Sequence, residues 1–376
     1  MLNPNIKRAM TIIIKKPHRL IPHIKTQLAC HACVVFRGYA NFPHTVYLGI
    51  SNRCNLSCRM CDLGRRQDSL YRKYLAPDSE LPLSAWKKFI DEIAPFRPAI
   101  ELCAAEPFLY KEFESLVRYI KQEKKLVCRI FTNGFYLEEH SRLLKEIGLD
   151  YIFISLDGPA ETHDYIRGHK GLYDKVLRGI RKLNENADRA RPRIDINFTI
   201  SEHNFDKIAN TFYCLNRSGV EFDRFTVTQT LFTTKEMVER HNLLFPDYPM
   251  GTICHDCVDF DAIDTTVIEK QLFELLKKYP DKVRIYPDVG LKDIAVWYRE
   301  PEKFVGNRAC RFIWNFAVVT SSGEVIPNMR CVKKSFGNIT EGNFGHIWNH
   351  NEFRKFRLLS KKTRLFPICA RCSASF

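Results

Sequence analysis

No aspartate or glutamate occurs before Asp62, although that stretch holds Lys7, Arg8, Lys15, Lys16, Arg19, Lys25, Arg37, Arg53 and Arg59. Apolar residues recur there at Ile6, Met10, Ile13, Leu20, Ile24 and Leu28, close to helical period. Pro17 and Pro22 interrupt any continuous helix. Two readings stand: a cap that closes the bottom of the main domain, or a basic surface by which residues 1–40 touch an anionic membrane. The apolar block 10–14 is too short for a secretory signal, and no small-residue cleavage site follows it. A cytoplasmic protein is expected, with peripheral membrane contact as the alternative. No run of 18 apolar residues exists, which argues against a transmembrane span. No nucleic-acid recognition motif accompanies the basic stretch, so no nucleic-acid partner is expected. No internal repeat or low-complexity segment stands out.

What is present fits a large globular chain. It has 376 residues, 45% hydrophobic and 12% aromatic, enough for one large domain and a small one. Its formal net charge of +15 favours an anionic or polar small-molecule substrate. Fourteen cysteines are many, but the chain is too long for a disulfide scaffold. Their grouping in C-x2-C pairs favours metal thiolates and a reducing compartment.

Three of these cysteines, Cys54, Cys58 and Cys61, follow a C-x3-C-x2-C spacing. Three thiolates this close can hold three irons of a [4Fe–4S] cluster and leave the fourth open to a small molecule. A zinc knuckle is the alternative, but zinc prefers a fourth protein ligand in a closed site. The triad directly follows a β-like run at 44–50. Further runs lie at Ala99–Ala104, 126–133, 151–158, 193–200 and 222–229. Helical patterns fall between them. Ser84 is placed to cap one that buries Trp86, Phe89, Ile90 and Ile93. Others bury Phe113, Leu116, Val117 and Ile120, or cover 137–147 up to Gly148, about 173–186 and about 205–216. Six β-then-α units predict an α/β fold with a parallel sheet, either open and doubly wound or a partial barrel. The triad then lies on the first βα loop, at the sheet edge where α/β folds place their chemistry.

The expected division is a basic extension at 1–43, a barrel at 44–240, a connecting helical region at 241–305, and a loop-rich cysteine domain at 306–376. Within the third part a helix is expected at 267–278.

At this point the chain resembles the radical SAM superfamily. The three-cysteine motif is that family's signature, with Met60 in its usual place before the last cysteine. Ala104-Ala105-Glu106-Pro107, Thr132-Asn133-Gly134, Ser155-Leu156-Asp157-Gly158 and His163-Asp164-x-x-Arg167-Gly168 resemble further family segments, in family order. The resemblance implies a partial (β/α)6 TIM-like barrel. It also implies that S-adenosylmethionine (SAM) chelates the open iron and is cleaved reductively to a 5′-deoxyadenosyl radical, which takes hydrogen from substrate. The expected SAM contacts are the backbone near Met60 and at Ala105, Glu106 to the amino group, Arg167 to the carboxylate, and Ser155 and Asn133 to ribose or carboxylate. Asn133-Gly134 and Asp157-Gly158 are also ordinary turn sequences. Ala104-Ala105 replaces the family's Gly-Gly, and alanine permits close backbone approach less well and disfavours positive φ.

Residues after 306 resemble the SPASM or "twitch" extension, which carries auxiliary iron–sulfur clusters. The matching features are Cys310, Gly323-x-x-x-Pro327, Cys331, Phe336-Gly337-Asn338-Ile339, Ile347-Trp348-Asn349 and Cys369-x-x-Cys372. Four cysteines, Cys310, Cys331, Cys369 and Cys372, suffice for one closed [4Fe–4S] cluster. Asn328 stands where the family usually has a cysteine, and Cys331 comes three residues later. The implied function is oxidation of, or elimination from, a small polar metabolite, sugar-like or phosphorylated, with flavodoxin or ferredoxin as reductant. The alternatives are a ribosomal-peptide maturase, against which the short 1–43 stretch counts, and an enzyme on a lipid-linked substrate. Tyr, Lys, His and Asp are all available as general base, and spacing singles out none. Cys30, Cys33, Cys254 and Cys257 form two further C-x2-C pairs that nothing in the sequence brings together. Cys103, Cys128 and Cys214 are expected to be buried structural cysteines.

Overall fold

A computed structural model describes residues 37–62, 80–185, 191–251, 257–306 and 309–375. Residues 1–36 of the basic segment, with Cys30 and Cys33, and Cys254 lie outside these residues. Among the described residues, no helix is long and apolar enough to cross a membrane.

Six strands carry the barrel: β1 (Thr45–Ser51), β2 (Ala99–Ala104), β3 (Cys128–Thr132), β4 (Tyr151–Ser155), β5 (Arg193–Thr199) and β6 (Arg224–Thr228). Each pairs with the next in parallel. The helices between them are α1 (Leu83–Ile93), α2 (Phe113–Arg118), α3 (Leu137–Glu146), α4 (Ala160–Arg167), α5 (Leu172–Asn184) and α6 (Ile208–Arg217). This is the partial TIM-like barrel that the sequence predicts. The strands alternate. Cys128, Ile130 and Thr132 of β3 are buried while Arg129 and Phe131 are half-buried. Period-two burial of this kind turns one face of the sheet to the helices and the other to the barrel interior. On the inner face Glu101 pairs with Arg129 at 2.7 Å, and Phe131 stacks on Phe153 with ring centroids 4.2 Å apart.

Two features go beyond the expected six units. A seventh parallel strand, β7 (Val283–Tyr286), extends the sheet past β6. It lies in the region expected to be helical; α7 (Lys235–Leu244) runs across that region's expected start at 241, and α8 (Thr265–Lys278) and α9 (Ile294–Arg299) lie within it. Four alternating residues are too short a pattern to separate from a loop by periodicity. At the other edge β8 (Phe316–Val319), from the cysteine-bearing tail, pairs in parallel with β1. It then turns back as β9 (Val325–Ile326), giving the order β7-β6-β5-β4-β3-β2-β1-β8-β9. The tail is thus built onto the barrel's own sheet. Its helices are α10 (Phe312–Asn315), α11 (Phe344–Trp348) and α12 (Asn351–Lys362).

Ser84 is not the cap of α1. Pro82 occupies that position without a side-chain bond, and the Leu83 N–H donates instead to the Glu112 carboxylate at 2.9 Å. The four apolar residues assigned to that helix are buried. Cys103 and Cys128 are buried as expected, but Cys214 on α6 is only half-buried, with its thiol toward Asn210.

Candidate active site

Cys54 follows β1 directly and opens a loop that crosses the C-terminal ends of the strands. Cys54, Cys58 and Cys61 all line one cavity of about 330 Å³. No fourth cysteine and no His, Asp or Glu joins them among its described lining residues. The donor set therefore suits a cluster held at three corners, with the fourth open to the cavity. No three such side chains among the described residues gather tightly enough for a single metal ion. Burial pushes the Cys58 thiol up to about 11, against the pull of Arg167, and it raises Cys54 as well. Thiols so shifted are deprotonated by iron rather than by pH.

The loop is held from three sides. The Glu106 N–H donates to the Arg53 carbonyl at 3.0 Å. The Arg59 N–H donates to the Ile166 carbonyl at 2.8 Å, at the end of α4. Gly168 ends that helix with φ +69°, and a Cβ there would lie 3.1 Å from the Ser57 carbonyl oxygen. The Asp164 carboxylate accepts the Gly171 and Tyr173 N–H groups and starts α5. The segment from His163 to Gly168 is thus the seat of the cysteine loop.

The structure places most of the expected SAM-site residues on this cavity: Met60, Ala105, Asn133, Ser155 and Arg167. Glu106 is the exception. It is fully buried and off the lining, and its carboxylate accepts the Asn133 N–H at 2.8 Å and the Thr132 hydroxyl at 2.9 and 3.1 Å. Burial pushes its pKa up to about 7 in spite of these bonds. In this structure Glu106 fixes the β3 end. Asn133 donates to Asn55 Oδ1 at 3.0 Å and lies 3.9 Å from the Cys54 sulfur. Gly134 takes φ +81°, and a Cβ there would meet Val176 at 2.8 Å, so this turn requires glycine. The left-handed residues are elsewhere than Ala105, which explains why alanine serves in place of the family's glycine.

Arg167 is buried. Its Nε donates to Asp157 Oδ2 at 2.6 Å, and its Nη1 lies 3.8 Å from the Cys58 sulfur. Burial opposes the guanidinium charge, but Asp157 and Cys58 outweigh it and hold the Arg167 pKa above its ordinary value. Asp157 in turn accepts the Thr199 N–H at 2.8 Å. His163 receives the Asp157 N–H at its Nδ1, and burial lowers its pKa well below normal, so it stays neutral. None of the four residue types considered as general base, Tyr, Lys, His or Asp, lines the cavity among the described residues.

A further part of the lining was not foreseen. It comes from the β6 end, with Thr228, Gln229, Thr230 and Leu231, and from Arg330 of the tail. No motif marks these residues in the sequence.

In the tail, Cys310, Cys331, Cys369 and Cys372 line a second, small cavity. Burial raises all four thiols, Cys310 to about 12, and neighbouring cysteines add to the shift at Cys310, Cys331 and Cys369. Such a set fits a closed cluster that brings its own positive charge. The three-residue offset of Cys331 is taken up by a turn in which its N–H donates to the Asn328 carbonyl at 3.2 Å. Between the last two cysteines, Arg371 is buried and donates to the carbonyls of Val296, Trp297, Glu300, Lys303 and Ala370. The tail is thereby fastened to α9. Cys257 is buried with its thiol 3.1 Å from Asp62, beside the first cysteine loop.

Comparison with known proteins agrees with these two centres. Residues 48–223 match the family model of the radical SAM superfamily, and residues 310–373 match SPASM, an iron–sulfur cluster-binding domain. The chain is 33% identical over 177 residues to an Fe-coproporphyrin III synthase of Methanosarcina barkeri, covering 46% of this chain and 41% of that protein. It is 26% identical over 352 residues to a tungsten-containing aldehyde ferredoxin oxidoreductase cofactor-modifying protein of Pyrococcus furiosus, covering 87% of this chain and 86% of that one. In fold it is similar to Streptococcus suis SuiB bound to precursor peptide SuiA, with a TM-score of 0.63 at 14% identity over 92% of this chain and 74% of that one. These domains carry a SAM-binding [4Fe–4S] cluster and an auxiliary cluster. The chain belongs to the radical SAM superfamily and carries a C-terminal SPASM domain.

Proposed function

We propose that this radical SAM enzyme takes hydrogen from a small polar group of a substrate that also carries an anion, for an oxidation or a related elimination. The observation that carries the reading is the cavity itself. Cys54, Cys58 and Cys61 line it together with Gln229 and Arg330. In this reading Cys54, Cys58 and Cys61 hold the SAM-binding cluster, and Cys310, Cys331, Cys369 and Cys372 hold the auxiliary one. When bound, cluster and SAM together supply reductive cleavage to a 5′-deoxyadenosyl radical, driven by a reductant such as flavodoxin or ferredoxin.

The chain's own residues do the rest. Arg167 and Asn133 reach the sulfurs of Cys58 and Cys54, and donors to cluster sulfurs tune redox potential. Met60, Ala105 and Ser155 form the wall on which SAM is held. Phe131, stacked on Phe153, closes the cavity toward the barrel interior and excludes water from below.

At about 330 Å³ the cavity is at the low end for a single ligand, yet it must take SAM as well. The substrate is therefore small, or only one arm of it enters. The similarity to a Methanosarcina protein named as an Fe-coproporphyrin III synthase supports the second form.

The test is anaerobic reconstitution, followed by reduction with SAM and candidate substrates. Substrate-dependent 5′-deoxyadenosine, carrying deuterium from labelled substrate, is expected. Iron-replete protein that cleaves no SAM under any reductant would end the proposal.

A further inference from the structure

Gln229 is fully buried, yet it belongs to the cavity wall. Its Oε1 accepts the Tyr298 hydroxyl at 2.8 Å. That hydroxyl itself receives the Thr230 backbone N–H, and burial raises its pKa, so it stays protonated and donates to Gln229. The amide orientation is thereby set: oxygen toward Tyr298, with the NH2 group remaining. That Nε2 has no hydrogen-bond partner among the described residues. A buried donor left unmatched is costly, and an acceptor entering the cavity that Gln229 lines would satisfy it.

Arg330 lines the same cavity. It is anchored by a bond to the Leu231 carbonyl at 3.3 Å, two residues beyond Gln229. No carboxylate lines the cavity among the described residues. An amide donor and a guanidinium on one wall suit a group with several acceptor oxygens and a negative charge.

We propose that Gln229, oriented by Tyr298, and Arg330 form a subsite for a carboxylate or phosphate group of the substrate, in the cavity that the cysteine triad also lines. The subsite names the anchoring group of the substrate in the reading above and rests on that reading for its purpose. Binding there needs no turnover.

The reconstituted protein, saturated with SAM, is titrated with inorganic phosphate and separately with acetate, and the rise in Tm gives an apparent affinity for each. The stronger probe identifies the group. Arg330→Gln is expected to weaken that affinity roughly tenfold or more, since charge-assisted bonds carry such differences. Gln229→Glu keeps the shape and the acceptor for Tyr298 but adds repulsion, and it is expected to abolish the shift. Arg330→Lys, the conservative variant, should recover part of it. Neither probe binding the wild type, or equal titrations in wild type and variants, overturns the proposal. So does binding that vanishes once SAM is added, which would give the donors to SAM's own carboxylate. Protein that binds the probe but never cleaves SAM defeats the functional reading and leaves the subsite standing; the reverse result does the opposite.

Discussion

The two cysteine centres use the same side chain in opposite surroundings. In the barrel, Cys54 is exposed, Cys61 half-buried and Cys58 buried, on a cavity of about 330 Å³ with Arg167 and Asn133 beside the sulfurs. In the tail, four cysteines line a far smaller cavity, about 20 Å³. The first centre has space for a second molecule. The second has space only for what its thiols themselves bind. Three ligands in an open cavity mark a centre built to exchange; four in a tight one mark a centre built to stay.

Separate loss of the two centres breaks the comparison most sharply. Cys58→Ala should abolish 5′-deoxyadenosine formation and reduce iron from about eight to about four per chain, leaving the tail cluster. Retained SAM cleavage would refute the assignment of the triad. Cys310→Ala should remove about four irons from the other centre, and an unchanged iron count would remove the tail cluster from the account. Arg371→Gln keeps all four thiols but strands buried carbonyls of α9 and its flank. A loss of roughly 3–5 kcal/mol in guanidinium unfolding is expected. Gly134→Ala forces a Cβ onto Val176 at positive φ, at a cost of about 1–3 kcal/mol in the same assay.

The smallest effect is one of pH. Glu106 has a folded pKa of about 7, above its ordinary value of 4.5, because of burial. The folded state therefore holds more protons than the unfolded one between these values, and its stability falls as pH rises through them. The advantage of wild type over Glu106→Gln should shrink between pH 5 and pH 8. An advantage that stays flat over this range would mean that Glu106 is an ordinary, ionised carboxylate.

The barrel and the triad wall were legible because their signals are local. Each motif is a few consecutive residues at the end of one strand, where the chain must turn and where the chemistry sits. What escaped depends on distant partners. Tyr298 meets Gln229 from 69 positions away, and Arg371 meets Trp297 from 74. No spacing rule links a lone glutamine to a lone tyrosine. Glu106 shows the converse: its motif is plain, but its bonds to Thr132 and Asn133 appear only when β2 and β3 lie side by side. The β8 strand was hidden for another reason. An apolar run of four in a cysteine-rich tail gives no hint that its partner is the first strand of the barrel.

Arg371 gives the tail a second meaning. It lies between Cys369 and Cys372 and grips the carbonyls at the end of α9, the helix that carries Tyr298 to Gln229. The cysteine pair of the tail and the cavity wall that holds Gln229 are therefore joined through one short helix, so a change at either end has a rigid path to the other.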